Sequence, residues 1–112
     1  VEERSRYHML LGSFKVFEAW PILVEGINQP EWYKKVAALR AMSKISLKKA
    51  KPYMYTALGD TQFRVKREVV FMLLELKPKD AVKPLQSVLD DEDFETRFYA
   101  KEAIQLIEEE YN

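Results

Sequence analysis

The sequence predicts an all-α fold of helix pairs stacked side by side, and three observations predict it. The chain repeats itself at an interval of 31 residues. Within each interval the apolar residues recur with the 3.6-residue period of a helix that buries one stripe. No segment alternates apolar and polar with period two, so no strand is expected.

The repeat is visible column by column. Trp32, Phe63 and Phe94 align, as do Ile27, Leu58 and Leu89, and Ala19, Ala50 and Ala81. Lys35, Lys66 and Arg97 form a polar column; Ala38, Val69 and Ala100, then Met42, Leu73 and Ile104, then Ile45, Leu76 and Ile107 are apolar ones. Arg4, Tyr7, Leu11 and Phe14 precede Lys35, Ala38, Met42 and Ile45 by the same interval. The chain therefore reads as a half unit over 1–14 and three whole units over 15–45, 46–76 and 77–112.

Taken in order, the elements derive from this frame. The half unit supplies one second helix. Each whole unit supplies a first helix, such as Leu47, Ala50, Met54, Ala57 and Leu58, and a second helix, such as Ala38, Ala41, Met42 and Ile45. The turns between them are Asn28-Gln29-Pro30, Gly59-Asp60-Thr61 and Asp90-Asp91-Glu92; Gly12-Ser13, Ser46 and Lys77-Pro78 separate the units. Asp60 and Asp91 are placed as N-caps and Pro30 as a first helical residue. About seven helices of roughly 10–17 residues result, sharing one continuous core because a single pair cannot bury its apolar face. Trp32, Phe63 and Phe94 are expected inside that core.

Composition sets the outer bounds. The 112 residues are 47% apolar and 32% charged, which describes one folded domain rather than a disordered chain. No cysteine is present, so disulfides and thiolate chemistry are excluded. No apolar run approaches the roughly 18 residues of a membrane span. The chain opens on Val1 in a helical pattern, and it is expected to be a domain excised from a longer protein. That protein is expected to be cytoplasmic, or anchored in a membrane with this domain on its cytoplasmic side. The net charge is zero but polarised: residues 33–67 hold ten Lys or Arg and one acid, whereas 90–112 hold nine acids, Arg97 and Lys101. Solvated helix faces, or a surface that orients a partner, would both produce such a division.

Pro52, Asp60, Val65 and Lys66 have the P-x7-D-x4-V-K/R spacing of HEAT repeats, which the chain resembles over nearly its whole length. Pro21, Gln29, Lys34 and Lys35 keep the places with Gln for Asp and Lys for Val; the third unit has Pro84 displaced by one and Thr96 for Val before Arg97. Residues 80–107 are similar to the short HEAT-like units of the phycobilisome-lyase type. The resemblance implies a right-handed superhelix with second helices lining the concave side. It also implies that Asp60, Lys66, Asp91 and Arg97 form a structural ladder tying turn to helix and unit to unit. It is specific for fold and weak for function.

Chemistry is scarce. His8 is the only histidine, which excludes paired-histidine metal sites and a histidine dyad. The acidic stretch 90–97 invites a calcium reading, but it lacks an EF-hand's glycine and distal glutamate, and the matching stretches 28–35 and 59–66 are not acidic. It reads as a turn and an acidic first helical turn. No catalytic residue, cofactor or metal is expected, and the chain is not read as an enzyme.

The expected function is a protein-interaction scaffold acting through the second helices. Its candidate partner-binding residues are Tyr33, Arg40, Lys44, Arg64, Arg67, Glu68, Phe71, Phe98, Tyr99 and Glu102, because aromatic and arginine side chains favour interface anchors. Val36, Phe71 and Phe98 would alternatively pack against neighbouring second helices. The partner would be another protein or the rest of the parent chain. A second reading is phosphate-backbone binding of nucleic acid through 33–67, against which the zero net charge stands. Two further possibilities are an accessory role beside a lyase-type or membrane-tethered protein, and self-association through the N-terminal end around Tyr7, Met9, Leu10 and Leu11.

Overall fold

The computed structural model describes residues 16–111, which form six α-helices and one short 3-10 turn, with no strand among them. The helices are α1 (Val16–Ile27), α2 (Trp32–Ile45), α3 (Leu47–Ala57), α4 (Phe63–Leu76), α5 (Val82–Gln86) and α6 (Phe94–Tyr111); the 3-10 turn is Lys79–Ala81. The half unit 1–14, with His8 and the apolar N-terminal flank, lies outside the described residues. Within them the breaks at Ser46 and Lys77 fall at the edges of the 31-residue units, and each unit holds a first and a second helix.

Side chains and backbone set those breaks. Ser46 is extended, donates its N–H to the Met42 carbonyl at 2.9 Å, and accepts the Lys49 N–H on its hydroxyl at 3.2 Å. It thus ends α2 and caps α3 in one residue. Lys77 stops α4 in the left-handed conformation, φ 49°, with its N–H on the Leu73 carbonyl at 2.8 Å, and Pro78 comes next. Asn28 and Gln29 return their side-chain amides to the Val24 and Glu25 carbonyls at the end of α1.

The chain divides into two compact units, one up to Ala50 and one from Lys51. In the first, α1 packs on α2. Contact is close because Gly26 has no side chain: a Cβ there would lie 2.8 Å from the Ala38 Cβ. Val36, Ala38, Leu39 and Met42 are buried on α2. Of the two roles the sequence left open for Val36, burial is the one observed, and the buried stripe is wider than the Ala38–Met42–Ile45 column.

In the second, α6 packs against α4, against α5 and against the 3-10 turn. Val65, Val69, Val70, Met72 and Leu73 are buried on α4, Ala81, Leu85 and Val88 around α5, and Thr96, Ala100, Ala103 and Ile107 on α6. The repeat columns thus keep their depth where small or branched residues fill them.

Four expectations are corrected. The first helix of the third unit is not 10–17 residues long; α5 has five. Pro78 enters it, Pro84 lies inside it, and the path continues as i→i−3 turns, with Ser87, Val88 and Leu89 N–H groups on the Pro84, Leu85 and Gln86 carbonyls. Phe63 and Phe94 are exposed and Trp32 is half-buried, because all three are the first residue of their helix. There the Cα–Cβ bond tilts back beyond the helix end and away from the core. Neither Asp60 nor Asp91 is an N-cap: α4 and α6 each start three residues later, Gln62 stands at the first cap position without a side-chain bond, and the second cap is Asp93, whose Oδ2 accepts the Thr96 N–H at 3.0 Å. Pro30 precedes α2 by two residues, with Glu31 at the cap position.

Candidate functional site

Polar links bind the helix pairs of the second compact unit to each other. Lys66 on α4 forms an ion pair with Asp91 in the turn before α6. Asp91 accepts the Asp93 N–H on its other oxygen at 3.0 Å, an Asx turn that aims the carboxylate. Asp60 makes the equivalent turn one unit earlier, accepting the Gln62 N–H at 2.8 Å. Arg97 donates from Nη1 to the carbonyls of Asp91 at 2.7 Å and Glu92 at 3.0 Å. Of the four residues named for a ladder, Lys66, Asp91 and Arg97 therefore meet at one turn, Arg97 through backbone carbonyls rather than a carboxylate.

A second link lies beside the first. Arg67 places Nη1 3.0 Å from Glu95 and Nε 3.4 Å from Asp93. That Nε is buried and too poorly aligned for a hydrogen bond, so the contact is charge against charge. Burial would raise the Asp93 pKa, but the Thr96 hydroxyl and amide and the guanidinium groups of Arg67 and Arg97 outweigh it and hold the carboxyl below its ordinary value. A third link joins α3 to the 3-10 turn: Tyr55 donates to Asp80 at 2.6 Å and Lys51 pairs with it at 3.0 Å. The Tyr55 hydroxyl, and against some burial Lys51, lower the Asp80 carboxyl; burial and then Asp80 raise the Tyr55 hydroxyl.

Around these links lies a row of rings. Phe71 on α4 meets Tyr99 on α6 edge to face at 4.9 Å, Tyr99 meets Phe98 at 5.1 Å, and Phe98 stacks with Phe94 at 6.0 Å. Arg67 lies 5.0 Å over Phe63, and Arg97 lies 5.7 Å over Phe94. Of the partner-binding candidates, the fold thus brings Arg67, Phe71, Phe98 and Tyr99 together. Phe71 and Tyr99 are used inside the molecule, each half-buried against the other; Phe98 is exposed. Arg64, 5.6 Å from the Phe63 ring, and Glu102 are exposed, and Glu68 is half-buried. In the first compact unit Tyr33 is exposed with its ring edge-on to Trp32, Lys44 is exposed and Arg40 half-buried.

The basic run 33–67 is partly neutralised. Lys34 pairs with Glu31 at 2.6 Å, and Lys51, Lys66 and Arg67 are held by acids of the third repeat. Among the described residues no cluster of three or more His, Cys, Asp or Glu could hold a metal ion, and no helix is long and apolar enough to cross a membrane.

Leu89, Phe94, Arg97, Phe98 and Lys101 line an open depression of about 390 Å³ on α6. From the sequence, Phe98 is open to partner contact or to packing on a neighbouring helix, and Phe94 is expected in the core. The signal lay in the repeat itself: Lys101 falls 31 residues after buried Val70, and a lysine in an apolar column marks a face that the fold leaves open. No protein-family model matches the chain, and no curated protein or solved structure matches it significantly.

Proposed function

We propose that this chain is a non-catalytic scaffold of HEAT-like repeats, arranged as a right-handed solenoid, that binds another protein through the surfaces of its second helices. The observation that carries the reading is the link from one repeat to the next: Lys66 and Arg67 on one second helix engage Asp91, Asp93 and Glu95 at the start of the following one. A repeat joined to the next in this way makes an extendable frame. The same helices present Tyr33, Lys44, Arg64, Phe98 and Glu102 to solvent, a mixture of aromatic and charged groups suited to protein contacts.

Affinity capture with the full chain tests this. Tyr33→Ala/Lys44→Glu and Arg64→Glu/Glu102→Lys variants, each with an unchanged thermal midpoint, should each be compared with wild type. A protein retained by wild type and lost with at least one pair supports the reading. Equal retention by wild type and both pairs, or a nucleic acid bound with steep salt dependence in place of a protein, removes it.

A further inference from the structure

We infer that the depression on α6 is a docking site for a helical segment with an acidic turn. This rests on the proposed interaction role and names a partner chemistry for one part of that surface.

The 31-residue interval lets the molecule report what such a face holds when filled. The residues lining the depression are the images of Leu58, Phe63, Lys66, Arg67 and Val70, one interval earlier. That earlier face is covered except at its edge. Leu58 is 3% exposed and Val70 0%, Lys66 meets Asp91 and Arg67 meets Asp93 and Glu95, while Phe63 at the helix start stays 43% exposed. Its cover is an acidic turn and the helix after it, which also sets Tyr99 against Phe71. The images themselves are open: Leu89, in the turn before α6, is 40% exposed, and Phe94 and Phe98 on α6 are 66% and 50% exposed. An exposed apolar cluster of this kind, continuous along one helix stripe, is where a second helix seats its ridge.

Charge selects the occupant. Arg97 is the image of Lys66, yet where Lys66 reaches a carboxylate of the next turn, Arg97 bonds the carbonyls of its own. A guanidinium offers five donors in a planar fork, so those two bonds leave geometry for a carboxylate to add. At Lys101 a cation stands where Val70 is buried one interval earlier, which adds to the positive charge that favours an acidic occupant. A second copy of this chain is a poor supplier, because Asp91 and Asp93 of its own acidic turn are already held by Lys66 and Arg67.

The probe is a capped, hydrocarbon-stapled peptide with the sequence of residues 90–111, which holds the acidic turn and helix that cover the equivalent face of α4. Its helicity is verified by circular dichroism, and it is titrated into the full chain by fluorescence anisotropy. Saturable binding with a Kd on the order of tens of micromolar is expected, weakening several-fold as salt is raised. Phe98→Ala, at an exposed position, and Arg97→Glu should each weaken it about tenfold or more, and Asp91→Lys within the probe should restore binding to Arg97→Glu. Absence of saturable binding by the helical probe overturns the proposal, as does an affinity for both variants equal to that for wild type. A dimer of the protein alone that Phe98→Ala disperses in sedimentation also overturns it, in favour of a second copy. Loss of this site with continued capture of a protein through Tyr33, Lys44, Arg64 or Glu102 leaves the scaffold reading standing.

Discussion

Asp93 concentrates three interactions on one carboxylate oxygen, so Asp93→Ala is a demanding test of how the repeats are joined. Its Oδ2 accepts the Thr96 N–H at 3.0 Å and the Thr96 hydroxyl at 2.8 Å, and lies 3.4 Å from Arg67 Nε. Truncation removes an N-cap, which costs about 1 kcal/mol. It also strands the hydroxyl of Thr96, a residue with no exposed surface, at about 1–3 kcal/mol for a buried unpaired group. Because the Asp93 side chain keeps 20% of its surface in solvent, water can reach part of the gap, and the lower half of that range applies. The expected loss is about 2–3 kcal/mol. Asp93→Asn keeps an acceptor oxygen and should cost about 1 kcal/mol or less.

Urea unfolding followed by circular dichroism at neutral pH, with a shared slope, measures both. The pH dependence adds a second constraint. The Asp93 carboxyl is held below its ordinary value in the fold. Its stabilisation is therefore whole above the unfolded value of about 4 and lost as pH falls through the folded one. The gap between wild type and Asp93→Ala should narrow in acid. An alanine variant within about 0.5 kcal/mol of wild type at neutral pH, or a gap that widens in acid, would refute the assignment of Asp93 as the cap.

Three further perturbations probe the packing. Leu73→Ala, at a position with no exposed surface, should cost about 2–5 kcal/mol, whereas Phe94→Ala, 66% exposed, should cost less than about 1 kcal/mol in the same urea titration. Gly26→Ala should destabilise by about 1–3 kcal/mol because its Cβ would meet the Ala38 Cβ at 2.8 Å, while Gly59→Ala, with nothing nearer than the Thr56 carbonyl at 3.5 Å and no positive φ, should be neutral or gain about 0.5 kcal/mol. Lys77→Gly should raise the thermal midpoint, since releasing a left-handed lysine returns more than glycine loses in the unfolded chain, a net of about 0.5–1 kcal/mol; a lower midpoint would contradict that.

The period, the helical class and the breaks at Ser46 and Lys77 were legible because they depend on local rules: apolar spacing, turn residues and proline. The depth of each column was less so. Ala38, Val69 and Ala100 are buried as their column predicts, yet Leu76 is 39% exposed in a column whose last member, Ile107, is 1% exposed. Position in a repeat fixes which neighbour a residue faces; whether that neighbour covers it depends on the length of the helices and on the next element of the chain. The N1 aromatics show the same limit, since a phenylalanine at a helix start reads as core until its direction is known. Asp93 escaped the sequence reading because three neighbouring acids offered equally good caps, and only the start of α6 at Phe94 separates them.

The division of charge along the chain acquires a structural use. Much of what counted as a basic block and an acidic block meets within the second compact unit: Lys51 with Asp80, Lys66 with Asp91, Arg67 with Asp93 and Glu95. Partly exposed ion pairs of this kind are each worth about 1 kcal/mol or less, so they do not account for stability, which rests on Val69, Leu73, Ala100 and their neighbours. Their effect is selectivity of register. Helix surfaces rich in alanine and valine can slide along one another at little cost, and opposite charges at matched positions penalise every offset but one. A repeat that uses cations on its second helix to receive the acids of the next turn thereby fixes both the order and the spacing of its neighbours. The docking site proposed around Arg97 and Lys101 extends the same rule to α6.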